Sequence, residues 1–161
     1  MNSKGVFRIL GIVSSLAVFA SIGLGGNGVW PLNLRGDATQ EGGLLLKPLD
    51  VTFGAISDTE LIGTAGFKCR TGNTAAKRFI ANGQLKLGEE LFTVVGVCER
   101  QDSSLVEIVA QSRVGGVIKN VNVTGNRQIN NEVTVIAGSA YVSTQGTMVY
   151  SINLEGETPA Q

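Results

Sequence analysis

The sequence contains no histidine, and this absence excludes more chemistry than any other feature of its composition. Without histidine there is no Ser-His-Asp or Cys-His arrangement, and the usual general acid or base near neutral pH is missing. The commonest protein ligand of zinc, copper and haem iron is missing as well. We therefore expect no catalytic residue, no metal site and no cofactor, and we predict that the chain is not an enzyme.

Charge of either sign is sparse. The chain has 13 basic and 13 acidic residues, and charged residues make up 16% of it, against roughly 25% in typical soluble domains. A nucleic-acid-binding domain needs Lys and Arg clustered on one face. Here the basic residues are scattered singly apart from Lys77-Arg78, so we predict no nucleic-acid partner.

Carboxylates alone would suffice for glycoside hydrolysis, which needs two of them facing each other across a cleft. The nearest candidate pair, Glu89-Glu90, lies in an apparent turn, where neighbouring side chains point in different directions. Ser57-Asp58-Thr59-Glu60 is a fragment of the alternating pattern of a calcium loop. The ordinary explanation of both motifs is solvated turn charge.

Long apolar runs are missing after residue 34. The apolar run before that residue predicts the cellular compartment of the protein. Lys4 and Arg8 stand before an apolar stretch over residues 9–24, which is the layout of a secretory signal peptide. Ala20 ends a small-residue pattern that favours cleavage after it. We predict that residues 1–25 are a signal peptide and that the protein is secreted, extracellular or attached to the cell surface.

Two alternatives to cleavage after Ala20 stay open. Retention of the leader would make it a membrane anchor, with membrane contact only through residues 9–25 and the domain outside the cytoplasm. A pilin-type leader would instead be cut after Gly5, but Arg8 would then lie inside the apolar helix.

Cysteine is as scarce as the other reactive residues. Cys69 and Cys98 are the only two, and an even pair in an exported domain predicts a disulfide bond. Two cysteines without histidine do not complete a tetrahedral zinc site.

The remaining chain shows the rhythm of short strands. Leu49, Val51 and Phe53 alternate with polar residues, and Asn82-Gly83 predicts a hairpin turn. About eight or nine such segments recur at the spacing expected of an all-β sandwich or barrel, and we predict an antiparallel β-sandwich. The predicted organisation is a leader over 1–25, a Gly-rich extension over 26–43, a β-sandwich over 44–155 and a tail over 156–161.

Trp30, Leu32 and Leu34 alternate with Pro31 and Asn33 inside the Gly-rich extension. This period is typical of an extended strand, and the proline restricts it to a sheet edge. We interpret the three apolar residues as an assembly strand that completes the sheet of a neighbouring copy. Two simpler explanations are pairing with the edge of its own domain and contact with the membrane interface beside a retained anchor.

Two short motifs resemble surface recognition or modification sites. Asn122-Val-Thr124 matches the N-glycosylation acceptor, so Asn122 carries a glycan if the host glycosylates exported proteins. Arg35-Gly36-Asp37 matches an adhesion tripeptide, although ordinary turn chemistry explains it as well.

Three classes of function follow. The first is an exported, non-catalytic structural protein, such as a filament, pilus-like or envelope subunit, self-associating into a homo-oligomer by strand complementation through residues 29–34. The second is an exported monomeric binding or adhesion module that recognises a ligand or an envelope partner. The third is a hydrolase that uses carboxylates alone.

Overall fold

The computed structural model describes residues 30–43, 46–56, 66–70, 76–100 and 102–159. These residues contain nine strands and no helix, which confirms the prediction of an all-β chain. The strands are β1 (Asn33–Gln40), β2 (Leu46–Thr52), β3 (Ala55–Ile56), β4 (Ala76–Leu87), β5 (Glu90–Glu99), β6 (Leu105–Val114), β7 (Val117–Asn130), β8 (Val133–Ser143) and β9 (Thr147–Glu157). The predicted leader over 1–25 lies outside the described residues.

Eight of the strands close into an antiparallel barrel, so the predicted sandwich is wrong. From β4 to β9 each strand pairs with the next, β9 pairs with β1, and β1 pairs with β2. The ring closes where β2 pairs with β4, with Leu49 opposite Leu87. The short β3 adds to β4 outside this ring. Closure pairs every long strand on both sides and so leaves no open edge in the ring.

Alternation along the strands separates an apolar interior from a mostly polar exterior. Inward side chains from all eight barrel strands form one buried cluster. An eight-stranded barrel is just wide enough for side chains to fill it. The inward residues of the cluster include Leu34, Ala38, Leu49, Val51, Leu85, Phe92, Val94, Ile108, Val121, Val123, Ile136, Tyr150, Ile152 and Leu154.

The seam of the barrel is formed by β1, from the segment that the sequence analysis assigns to a Gly-rich extension. β1 pairs with β2 on one side and with β9 on the other. Leu34 and Ala38 on this strand are completely buried in the core. Gly36 lies so close to β9 that a Cβ atom there would stand 1.8 Å from the Asn153 carbonyl oxygen.

The predicted hairpin at Asn82-Gly83 is a bulge within one strand. β4 continues from Ala76 to Leu87, and its register against β5 shifts between Phe79 and Gly83. Asn82 has a φ of 62°. A left-handed residue suits a bulge as well as a two-residue turn, and the apolar residues on both sides of Asn82 continue the same strand.

Gly36→Ala tests the seam, with Gly146→Ala in the β8–β9 turn as its control. The new methyl at position 36 meets backbone atoms that cannot rotate away, whereas a Cβ at position 146 meets nothing within 4 Å. We expect Gly36→Ala to lower the free energy of unfolding by about 1–3 kcal/mol, as overpacking does, and Gly146→Ala to change it little. Urea denaturation measures both. Equal effects would contradict the placement of β1 in the seam.

Candidate functional site

The barrel interior offers no ligand site among the described residues, because its side chains pack against one another in one cluster. Three features of the walls and ends remain: a segment strapped across the outside, a polar plug at one end, and two ends of opposite character.

The strap consists of residues 66–70, which cross the outer wall between two undescribed stretches of the β3–β4 connection. Cys69 is bonded to Cys98 on β5, which confirms the predicted disulfide. Phe67 is buried against the wall in a small second apolar cluster with Val109. The disulfide therefore joins a loop to the barrel wall. The strands of the wall are held together by their own backbone pairing.

Two buried charged groups on the wall bind the backbone of the strap. The Lys77 ammonium donates to the Phe67 carbonyl oxygen at 2.8 Å, and the Arg70 backbone N–H donates to Glu107 Oε2 at 2.9 Å. Lys77 and Glu107 are completely buried. Hydrogen bonds to charged groups are roughly twice as strong as neutral ones, so the strap has a defined position. The Arg70 guanidinium lies 3.7 Å from the centre of the Tyr141 ring, on β8.

Asn122, the predicted glycosylation residue, lies beside the strap on β7. Its side-chain amide nitrogen donates to Glu107 Oε2 at 2.5 Å. A glycan on that nitrogen would leave it one N–H donor. Glycosylation of Asn122 stays a prediction.

The plug closes the end of the barrel at which β1 begins. Trp30 is buried there, with its ring 5.4 Å from the ring of Phe53. The Arg127 guanidinium lies 4.8 Å from the Trp30 ring centre and donates to Glu99 Oε2 at 3.0 Å. Arg78 Nε lies 3.9 Å from Glu99 Oε1 on the other side.

Burial shifts both members of the central ion pair away from their charged forms. Burial raises the pKa of Glu99, although Arg127 and Arg78 oppose the shift. Burial likewise lowers the pKa of Arg127, against the attraction of Glu99. Enclosed charges of this kind are weak sources of stability, because removing each from water costs about as much as the pairing returns.

The predicted assembly strand is divided among three environments. Trp30 is part of the plug and Leu34 lies in the core of its own barrel. Leu32 is 72% exposed, and its carbonyl oxygen accepts a hydrogen bond from the Phe53 backbone N–H. In the described chain this segment completes its own domain.

Exposed large apolar side chains collect at the opposite end, which we call the apolar rim. They stand where strands enter and leave the turns at that end. Val114 is 77% exposed and Val117 is 58% exposed. The rim consists of Leu46, Leu91, Val114, Val117, Ile118 and Met148.

A surface hollow of about 320 Å³ lies at the plug end, on the outside of β8 and β9. Its lining contains three glutamates and no basic residue, and we call it the acidic hollow. Among the described residues no group of three such side chains could hold a metal ion. The lining residues are Glu132, Val133, Glu155, Gly156 and Glu157.

The other motifs of the sequence analysis lie on ordinary surfaces. Glu90 accepts a bond from Lys119 at 2.7 Å, while Glu89 is exposed in the preceding turn. Residues 35–37 lie within β1 rather than at a loop tip, and Arg35 faces Asp50 at 3.7 Å. The calcium-loop fragment at 57–60 lies outside the described residues.

Comparison with known proteins finds no match among protein-family models, curated proteins or solved structures. Within the residues that the structure describes, no helix has the length and apolar character to span a membrane.

Sequence reasoning missed the buried charges, although one signal pointed to them. Glu107 stands between Val106 and Ile108 in β6, while Lys77 and Glu99 lie near the ends of β4 and β5. A charge in the middle of a buried strand predicts a partner, but the partners here are on other strands and on the strap, so the spacing does not identify them.

The disulfide is tested by replacing both of its cysteines with alanine. Its 29-residue separation predicts a loss of about 3–4 kcal/mol in the free energy of unfolding. The β-sheet circular dichroism should stay, because strand pairing does not involve the strap. Lys68→Ala, on the exposed side of the same strap, is the control and should change stability by less than about 0.5 kcal/mol. A random-coil spectrum for the double variant would contradict a self-supporting barrel.

The pH dependence of stability tests the plug. Since the pKa of Glu99 is raised above 4.5 by burial, the folded state binds this proton more tightly than the unfolded state. The contribution of Glu99 to stability is then greatest below 4.5 and is lost as pH rises through the raised pKa. Glu99→Gln should remove that slope.

The measurement compares urea denaturation of both proteins from the unfolded-state pKa toward neutral pH. The exposed Asp102 does not interfere, because Arg100 holds its pKa below 3.8, outside this window. Identical slopes in wild type and Glu99→Gln would show that the two arginines, rather than burial, control the carboxyl.

Proposed function

We propose that this chain is a non-catalytic structural subunit that is exported and assembles with copies of itself at the cell surface. The observation that carries the proposal is the apolar rim, where six large hydrophobic side chains are exposed at one end of a barrel whose interior is filled. Surfaces of this kind are typical of interaction sites. Catalysis would need a cleft with convergent reactive groups, and the packed interior of the described barrel supports a non-catalytic role.

Export is supported by the disulfide, since such bonds persist in oxidising compartments. The leader-like composition of residues 1–25 supports it from the sequence. A filled, fully paired barrel with a strap clamped to its wall is also a rigid unit, which suits a structural role.

Strand complementation through residues 29–34 would require two copies to exchange β1. Because β1 fills the seam of its own barrel, a copy would donate this strand only by exchanging it for the same strand of its neighbour. Domain swapping of this kind needs no open edge in the monomer. Association through the ends of intact barrels needs no exchange and retains every described strand pair.

A monomeric binding module is the second candidate, because the barrel is complete without a partner. Its interaction site would again be the apolar rim, with another envelope protein as the partner.

Light scattering after size-exclusion chromatography tests the choice between the two. We expect the mass of the exported protein to rise with its concentration. The variant Val114→Ser/Val117→Ser should assemble less, because it removes apolar surface only from the rim. Its control, Lys68→Ser, changes an exposed residue on the strap, away from both ends of the barrel. A monomer of constant mass over the whole concentration range would contradict the structural role and favour the binding module.

A further inference from the structure

The tip of the β6–β7 hairpin has a distinct shape and charge. β6 and β7 pair until Val114 stands opposite Val117, and Gly115-Gly116 make the turn. Both glycines have positive φ and open space around them. The hairpin therefore ends in a thin loop that carries two exposed valines.

The charges next to this tip are basic. Residues 113–119 include Arg113 and Lys119 and no acidic residue. Arg113 is exposed opposite Ile118, and Lys119 contacts Glu90 at 2.7 Å. The surface that a partner meets first is apolar with a cationic margin at Arg113.

The acidic hollow at the other end has the complementary properties. Glu132, Glu155 and Glu157 surround it, and Val133, 41% exposed, contributes apolar surface. Leu32 lies near the same end because it directly precedes β1, the neighbour of β9. The hollow is an open surface depression of about 320 Å³, which offers a contact area to a loop tip.

We propose that the β6–β7 tip of one copy docks into the acidic hollow of the next copy, so that barrels associate head to tail. The apolar contact is between the tip valines and Val133 with Leu32. The electrostatic contact is between Arg113 and the glutamates of the hollow, chiefly Glu157, because Glu155 lies opposite Arg35 on β1. This inference rests on the proposed self-assembly and specifies its contact.

The geometry of such a contact decides the kind of assembly. The tip and the hollow lie at opposite ends of the barrel, so each copy offers both halves of the interface. A heterologous contact of this kind leaves a free tip and a free hollow on every oligomer, and it grows into an open filament unless the rotation closes a ring. A symmetric dimer through the rim would instead consume both tips.

Charge reversal on the two sides gives the test. Arg113→Glu places a carboxylate against the hollow, and Glu157→Lys places a cation against the tip. We expect each single variant of the full exported protein to associate about tenfold more weakly than wild type, since like charges across an interface repel. Lys68→Glu, on the strap and away from both ends, is the control and should assemble as wild type does.

Mixing the two single variants distinguishes head-to-tail contact from every symmetric one. In the mixture the unchanged tip of Glu157→Lys meets the unchanged hollow of Arg113→Glu, and the reversed tip of Arg113→Glu meets the reversed hollow of Glu157→Lys. Both contacts pair opposite charges, so the mixture should grow beyond heterodimers, whereas a symmetric contact would stop at dimers. The double variant Arg113→Glu/Glu157→Lys restores an opposite-charge pair and should recover longer assemblies. Light scattering measures the masses of all four samples.

The results of these experiments distinguish failure of the tip–hollow contact from failure of the proposed self-assembly. If wild type stays a monomer, both self-assembly and the docking are overturned. If wild type assembles and both single variants assemble equally well, the docking is overturned and the structural role stands. A mixture that stops at heterodimers, or a double variant that stays monomeric, would also overturn the docking.

Discussion

Closure of the barrel by β1 is the constraint on which the other features depend. The strand supplies Leu34 and Ala38 to the core and satisfies the backbone edges of both β2 and β9. An open sheet in its place would expose two unpaired edges, which template pairing with other chains. Once the seam is filled, the strand edges of the ring are no longer available for pairing with another chain.

The strands could be predicted from the sequence because alternation of apolar and polar residues is a local pattern. Closure of the sheet into a barrel could not be predicted in this way. The period of Leu49, Val51 and Phe53 reports one buried face, and a sandwich and a barrel both have that face. The difference lies in whether β2 reaches β4 and whether β1 reaches β9, which are pairings between segments far apart in sequence. Gly36 marks the close approach at the seam, but a glycine in an apparent linker has the same sequence signature.

The cysteine count predicted the disulfide bond but not that the bond attaches the strap to the barrel wall. Cys98 lies in a barrel strand, as its apolar neighbours indicate, but Cys69 lies in the strap. The alternation around Cys69 resembles a strand because the strap is extended and buries Phe67 on one side. Lys77 and Glu107 are buried for the same reason: the wall they stand on would be exposed without the strap. Because the strap is a loop, the sequence contains no periodic pattern that would predict its packing on the wall.

The two ends of the barrel differ in chemical character. The interior is filled and one wall is strapped, while β1 enters through an end closed by Trp30 and Glu99 with its arginines. That end carries the glutamates of the acidic hollow, and the other carries the apolar rim with Arg113. Inserting one end into the other would bury apolar side chains beside an opposite-charge pair without breaking any backbone hydrogen bond of the barrel. Exchange of β1 must first open the seam and expose Leu34 and Ala38, so contact between intact ends is the cheaper route to assembly.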